Sequence, residues 1–472
     1  MRRPPSLLTL LAAVALVVTA CSSRGEDASG GTDADPASAT SAVADGDDGG
    51  AVTFGDFPSP CGPAAEDGGA ATTAAGAGEA PDGDTQGITD DAILVGTVAD
   101  PGFSGSPGLN QEIFDAGEAF VGWCNDQGGV NGRELRLTTY DAKIQNYQSE
   151  MTRACDQEFA IVGDGAVQDN LWESVGAACG LIDVAGFAVT PEKSGTVGPD
   201  VVEESRVVQP VPNTADTYEV GGMQTLAEEN PEAFQNVGIL YGDFETLRVQ
   251  ADKGRQAIEA EGGTVVSEQT YNLLGEANWA PIANSLEADG VRWLYFVGEP
   301  TNLAALQQAM VEIDYRPDVT FEEANHYDPE YLAAAGDAAE GTYVRSVYVP
   351  FEEADQNQAT QDYLDMVDAV GGKTALLGAQ SVSAWLLFAD AARQCDEAGD
   401  LTRTCVLETA GSVTEWPGGG LHGPTDPSTN TPTECSMILQ VQDGAFARYH
   451  PDEGFDCDED NLIDIEVGDT GG

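Results

Sequence analysis

The stretch 87-GITDDAILVGTVADPGFSGSPGLN-110 decides the fold. Ile93, Leu94, Val95 and Val98 form a nearly unbroken apolar run, the pattern of a parallel strand covered on both faces. Residues 103–108 then supply Gly, Ser and Pro at the carboxyl end of that strand, where open α/β sheets place their ligands. Downstream, a helix is expected over 112–125, with Ile113, Phe120 and Cys124 on its apolar side and Gly128-Gly129 closing it. RELRLTTY at 133–140 alternates as a second strand, and Met151, Cys155 and Phe159 mark one face of a helix over 148–159. A brief strand at 160–162 leads into the loop 163–169. A helix bearing Leu171, Trp172, Val175 and Cys179 and a strand at 181–184 follow. This is the rhythm of a doubly wound sheet with right-handed crossovers.

VVQPVPN at 207–213 carries two prolines that suit a crossing between lobes better than a central strand. The rhythm then restarts. A helix is predicted over 213–226, a buried strand over 237–241, a helix over 246–260, a strand over 264–267 and a helix over 279–286. Strand 291–297, the loop 298–302, a helix through Leu303, Leu306, Met310 and Ile313, and strand 319–321 complete the second series. The recurrence predicts an α/β protein of two similar doubly wound lobes. The first spans 87–210 and is completed by about 341–380; the second spans 211–340 and is completed by about 381–450. An extended segment is expected over 405–416. A hairpin is expected between 435–441 and 445–449 around Asp443-Gly444, followed by an acidic tail over 451–472 that is expected to be mobile beyond Cys457.

Upstream of the deciding stretch, residues 1–21 show a cationic start (Arg2, Arg3), a short apolar run and small residues before a cysteine, the layout of a secretory signal. Val18-Thr19-Ala20-Cys21 resembles a bacterial lipobox, which implies lipidation of Cys21 and attachment to the extracytoplasmic face of the cell membrane. Residues 22–86 are Gly, Ala, Ser, Thr and Asp with few large apolar side chains, and read as a disordered tether. Phe54, Phe57 and Pro58-Ser59-Pro60-Cys61 mark a point where it is pinned to the folded body.

The 81 acidic and 19 basic residues give a formal net charge of −62, which repels phosphate backbones and excludes a nucleic-acid partner. With Cys21 lipidated, eight of the nine cysteines remain, an even number that implies disulfides in an exported chain. Cys395 with Cys405 and Cys435 with Cys457 are the economical local pairs. Cys61, Cys124, Cys155 and Cys179 then pair among themselves in a way the spacing leaves open. Three dispersed histidines and no CxxC spacing argue against a metal site or a redox centre, and no cofactor is expected. No GxSxG or HExxH motif supports a hydrolase, and a glycosidase carboxylate pair is the weakest of the readings carried forward.

Five motifs together resemble the type I periplasmic binding protein family, particularly the branched-chain-amino-acid-binding-like receptors of ABC importers. They are IxVG at 93–96, NDQGGVNGRELRLTTYD at 125–141, VGILYGD at 237–243, VRWLYFVGEP at 291–300 and EGTYV at 340–344. The acidic tether and lipobox match actinobacterial members. The resemblance implies two lobes joined by three crossovers and closing on a ligand. It also implies a monomer that captures a small polar molecule and hands it to an ABC permease; a clamshell sensor for a membrane signalling partner is the alternative. It assigns ligand contacts to Phe103 and Ser104 in the first loop, Gln168 and Asp169 in the third, and Phe187 and Thr190 in the fourth. From the second lobe it assigns Tyr241, Phe244 and Glu299, with Glu322 or Glu323. The chain departs from the pattern at 163-GDGAVQDN-170, where amino-acid-binding members carry a Ser/Thr pair. An Asp in that place would repel a ligand carboxylate, which argues against an α-amino acid.

Overall fold

In the computed structural model, residues 52–64 and 84–467 are described; the signal segment, Cys21 and most of the tether lie outside the described residues. Strand β1 (Ala92–Ala99) is buried along its length apart from half-buried Leu94. It is followed by α1 (Gln111–Asp126), β2 (Glu134–Asp141), α2 (Tyr147–Cys155), β3 (Ala160–Val162), β4 (Ile182–Val184) and β5 (Val207–Val208). The five strands are parallel in the order β2-β1-β3-β4-β5. The chain therefore leaves β1 in one direction and returns on its other side at β3. The crevice between the carboxyl ends of these two strands is the topological switch point.

After a crossing at 209–216, β6 (Thr217–Glu219) and α3 (Gly221–Glu229) open the second lobe. They are followed by β7 (Val237–Gly242), α4 (Glu245–Ala260), β8 (Val265–Tyr271), α5 (Ala280–Ala288) and β9 (Trp293–Val297). Next come α6 (Pro300–Glu312), β10 (Val319–Glu322), α7 (Pro329–Ala335) and β11 (Tyr343–Ser346). The chain recrosses at 347–357 to α8 (Gln358–Val370), α9 (Leu376–Glu397) and α10 (Arg403–Ala410). It crosses a third time at 411–434 to β12 (Cys435–Gln442), β13 (Ala445–His450) and β14 (Leu462–Asp464). The second sheet runs β8-β7-β9-β10-β11-β12-β13, parallel as far as β11 and antiparallel beyond it. It repeats the switch, with β7 flanked by β8 and β9. Two lobes with three crossovers therefore face each other through the loop ends of their sheets.

The late segments join the lobes in a different way from the one predicted. β11, expected in the first lobe, pairs with β10 and β12 of the second sheet. α9, expected in the second, packs on α1, with Trp385 stacked on Phe120 at 5.7 Å. The span 405–416, predicted extended, begins as α10, whose Arg403 donates to the carbonyls of Phe159 (2.8 Å) and Glu158 (2.7 Å) in the first lobe. The predicted helix over 213–226 is split, because Thr217, Tyr218 and Glu219 pair antiparallel with Asp464, Ile463 and Leu462. That pairing also corrects the mobile tail: through residue 467 it is an ordered cover on the second lobe, and the amide of Ile465 donates to the carbonyl of Asp216 at 2.8 Å. Around 171–179 the regular helix gives way to a π-helical turn, Glu173–Ala177.

Four disulfides join Cys61 to Cys124, Cys155 to Cys179, Cys395 to Cys405 and Cys435 to Cys457. The first anchors residues 52–64 to α1, where Phe54 is fully buried edge-on to Trp123. That part of the tether is thus structured. No helix among the described residues is long and apolar enough to cross a membrane.

Candidate ligand cleft

The loops leaving β1 and β3 are set by one buried carboxylate. Asp100 accepts from the amides of Ile144 (2.5 Å) and Val167 (2.7 Å), tying the first, second and third loops together. Asp169 does the same for the fourth loop, accepting from the amides of Val189 (2.7 Å) and Thr190 (2.9 Å). Burial pushes each of these carboxyls up to about 6. Between these loops and those of the second sheet lies a cavity of about 170 Å³. Its first-lobe wall is apolar, formed by Leu109, Val167, Phe187, Val189 and Leu377, with Asn110 and Gln380 as polar members. The Gln380 side-chain Oε1 is buried without a hydrogen-bond partner.

The second-lobe wall carries the charge. Glu323 accepts from the Tyr218 hydroxyl, from Tyr295 (2.7 Å) and from Arg345 Nε (2.5 Å). Burial acts to raise its carboxyl, but Arg345 and the two tyrosines outweigh that and hold it below the ordinary value. Arg345 also lies 3.6 Å from Glu219 and over the Tyr218 ring. Glu299, at the carboxyl end of β9, is pushed up to about 8 by burial, with the charges of Asp100 and Glu112 adding to the effect. Lys253 on α4 donates to Asn213 Oδ1 (3.2 Å) and the Thr214 carbonyl (2.7 Å). Burial lowers its amine to about 8.

Of the residues singled out in the sequence, Phe187, Glu299 and Glu323 line the cavity. Phe103 does not; it is buried in an apolar cluster with Leu109, Ile144 and Val167 of its own lobe and Leu247, Leu273 and Val297 of the other, sealing the lobes against each other. Ser104 is exposed, Gln168 is half-buried outside the wall, Asp169 is committed to the loop, and Thr190 is buried outside the wall with only its amide engaged by Asp169. Tyr241 and Phe244 are half-buried on the second lobe and do not reach the cavity wall. Glu322 and Glu323 separate because successive residues at a strand end point to opposite faces. Glu322 is fully buried beside His326, 3.7 Å away. Burial raises its carboxyl and lowers the imidazole to about 4.

Sequence reasoning missed Lys253, Arg345, Tyr218 and Asn213. In a chain with 19 basic residues against 81 acidic ones, a lysine at the margin of the apolar face of α4 and an arginine inside a strand are the available signals. Neither states which way the side chain turns.

The model of a family described as periplasmic binding protein matches residues 102–445, about three quarters of the chain. The chain belongs to the periplasmic binding protein family. Solved structures agree on the fold of this binding protein. A fatty acid ABC transporter substrate-binding protein from Thermomonospora curvata superposes with a TM-score of 0.64 at 16% identity, over 81% of this chain and 97% of that one. The leucine-binding protein LivK from Thermotoga maritima gives 0.62 at 15%, over 78% and 100%. LivJ from Streptococcus pneumoniae, solved with isoleucine, gives 0.60 at 12%, over 79% and 100%. No curated protein sequence matches the chain.

The lobes of the binding protein are in contact. Lys373, between α8 and α9 on the first lobe, lies 3.0 Å from Glu112 of α1, 2.8 Å from Asp328 and 3.2 Å from Glu330 of the second lobe. Burial opposes the charge on Lys373, but these carboxylates outweigh it and raise its amine above the ordinary value.

Proposed function

We propose that the protein is an extracytoplasmic solute-binding receptor that captures a small molecule by closing its lobes and delivers it to the permease of an ABC importer. The observation that carries this reading is the cavity itself. It sits where both switch points face each other, and its walls include buried polar groups still wanting partners, among them the Gln380 side-chain Oε1 and the Tyr348 hydroxyl. Three crossovers give the lobes a common hinge, and the Phe103 cluster with the ion pairs of Lys373 to Asp328 and Glu330 supplies contacts that exist only when they meet. A ligand spanning both walls shifts the open-to-closed equilibrium by its differential affinity, with no bond broken. Lipidation at Cys21 would hold a monomeric receptor beside its permease.

The test is a calorimetric and small-angle scattering screen of the full mature protein against small carboxylates, amino acids, amides, sugars and polyamines. Saturable binding with a reduced radius of gyration is expected. A screen in which nothing binds, or in which a bound compound is turned over, would refute the receptor reading.

A further inference from the structure

We infer that the cleft is built for a small monocarboxylate with an apolar body, its carboxylate held by Lys253 of the second lobe and its body by the apolar wall of the first. This rests on the receptor reading and names its ligand class.

Lys253 is only 4% exposed and borders the cavity. Two of its three ammonium protons are taken by Asn213 and the Thr214 carbonyl. No carboxylate among the described residues lies within 4.0 Å of it. Two other lysines, buried Lys193 and half-buried Lys373, differ. Lys193 holds Asp164 at 2.6 Å and Asp183 at 2.8 Å, and Lys373 holds Glu112 and Asp328. A buried ammonium without a counter-charge is costly, and a ligand anion is what completes it.

The surroundings select among ligands. A cationic head would add like charge beside Lys253, and a neutral one would leave its ammonium without a counter-ion in contact. A dianion would carry one charge too many, because Arg345 is already spent on Glu323. An α-amino acid would bring its own ammonium to the same wall. Glu299 does not oppose a single carboxylate: its raised value keeps it protonated at neutral pH, where it is a hydrogen-bond donor. Asp169, the acid that argued against a carboxylate in the sequence, gives both oxygens to the amides of Val189 and Thr190 and is not part of the cavity wall.

The first-lobe wall contributes no charged side chain, so the ligand body there is apolar. A cavity of ~150 Å³ holds a molecule the size of benzene, so one of about 170 Å³ sets the ligand at about six to ten non-hydrogen atoms.

The experiment titrates the full mature protein with straight and branched monocarboxylates from butanoate to octanoate, benzoate and phenylacetate. Each carboxylate is compared with its own amide, and 4-methylpentanoate with leucine. At least one carboxylate is expected to bind about thirtyfold or more tightly than its amide. Lys253→Met should abolish that preference, and Lys253→Arg should retain part of it. Binding of amides, sugars, polyamines or leucine as tight as that of every carboxylate overturns this inference and leaves the receptor reading standing. No binding of any compound overturns both. Should Lys253→Met fail to fold, the wild-type carboxylate-to-amide ratio and the Arg variant decide.

Discussion

Replacing Glu299 with Gln should flatten the alkaline limb of the stability profile. The folded protein holds this carboxyl at about 8, against an ordinary value of 4.5, chiefly because it is buried. Below 4.5 the side chain is protonated whether the chain is folded or not, and its titration changes nothing. Between 4.5 and about 8 the unfolded chain releases the proton while the folded one keeps it. Each pH unit in that window therefore removes up to ~1.4 kcal/mol of stability. The full span amounts to ~4–5 kcal/mol, or ~2–3 kcal/mol once water reaches the ionised group through a loosened cleft. With an unfolding entropy of roughly 2 cal/mol/K per residue, a body of this size shifts by about 1 °C per kcal/mol, so a difference of about 2–3 °C is expected. Gln carries the neutral shape without the proton, so the variant should gain on wild type as pH rises and the gap should stop widening above about pH 8. Asp100 and Asp169, at about 6, and Glu112, at about 7, lose stability in the same direction but finish earlier. Lys253, depressed to about 8, acts oppositely above that pH. To first order these groups cancel in the difference between the two proteins. Calorimetric scans from pH 5 to 9 read it directly. A difference that stays flat, or favours wild type at high pH, refutes the assignment of a protonated Glu299.

Three further outcomes are expected. Lys373→Met removes the cation between Glu112 of one lobe and Asp328 of the other, and should destabilise the closed form by ~1–3 kcal/mol. Scattering should then show a larger ligand-free radius of gyration, and an unchanged radius would count against an interlobe latch. Gly254→Ala would gain ~1 kcal/mol of helix propensity in an open helix, but its new Cβ runs into the ring of Tyr295. We expect a lowered urea midpoint worth ~1–3 kcal/mol, and weaker ligand binding because Tyr295 donates to Glu323; a raised midpoint would refute this. Removing the Cys61–Cys124 bridge, which spans a separation of 63 residues, should cost ~2–4 kcal/mol and make residues 52–64 accessible to limited proteolysis. Resistance equal to wild type would show that Phe54 packing alone holds the segment.

Much of the architecture was legible in local pattern. Apolar runs such as 93–98, 237–241 and 291–297 announce strands covered on both faces, and their alternation with amphipathic helices dictates two doubly wound lobes and a cleft at their loop ends. These features repeat every few residues, so neighbours in the chain suffice to read them. The late segments were not legible, because β11, α9 and the 217–219 strand take their places from partners far away in the chain, and an apolar face does not say which apolar surface it will meet. The binding wall was the least legible part. Glu322 and Glu323 are adjacent and equivalent as letters, yet strand alternation sends one into the core and the other into the cleft. Asp169 looked like a ligand contact and is a loop clasp, whereas Lys253, which the sequence reading passed over, is a buried ammonium. Local periodicity, set by covalent geometry, was determined by the sequence alone; which charge is left without a partner is a property of three-dimensional packing, and only the tertiary structure decided it.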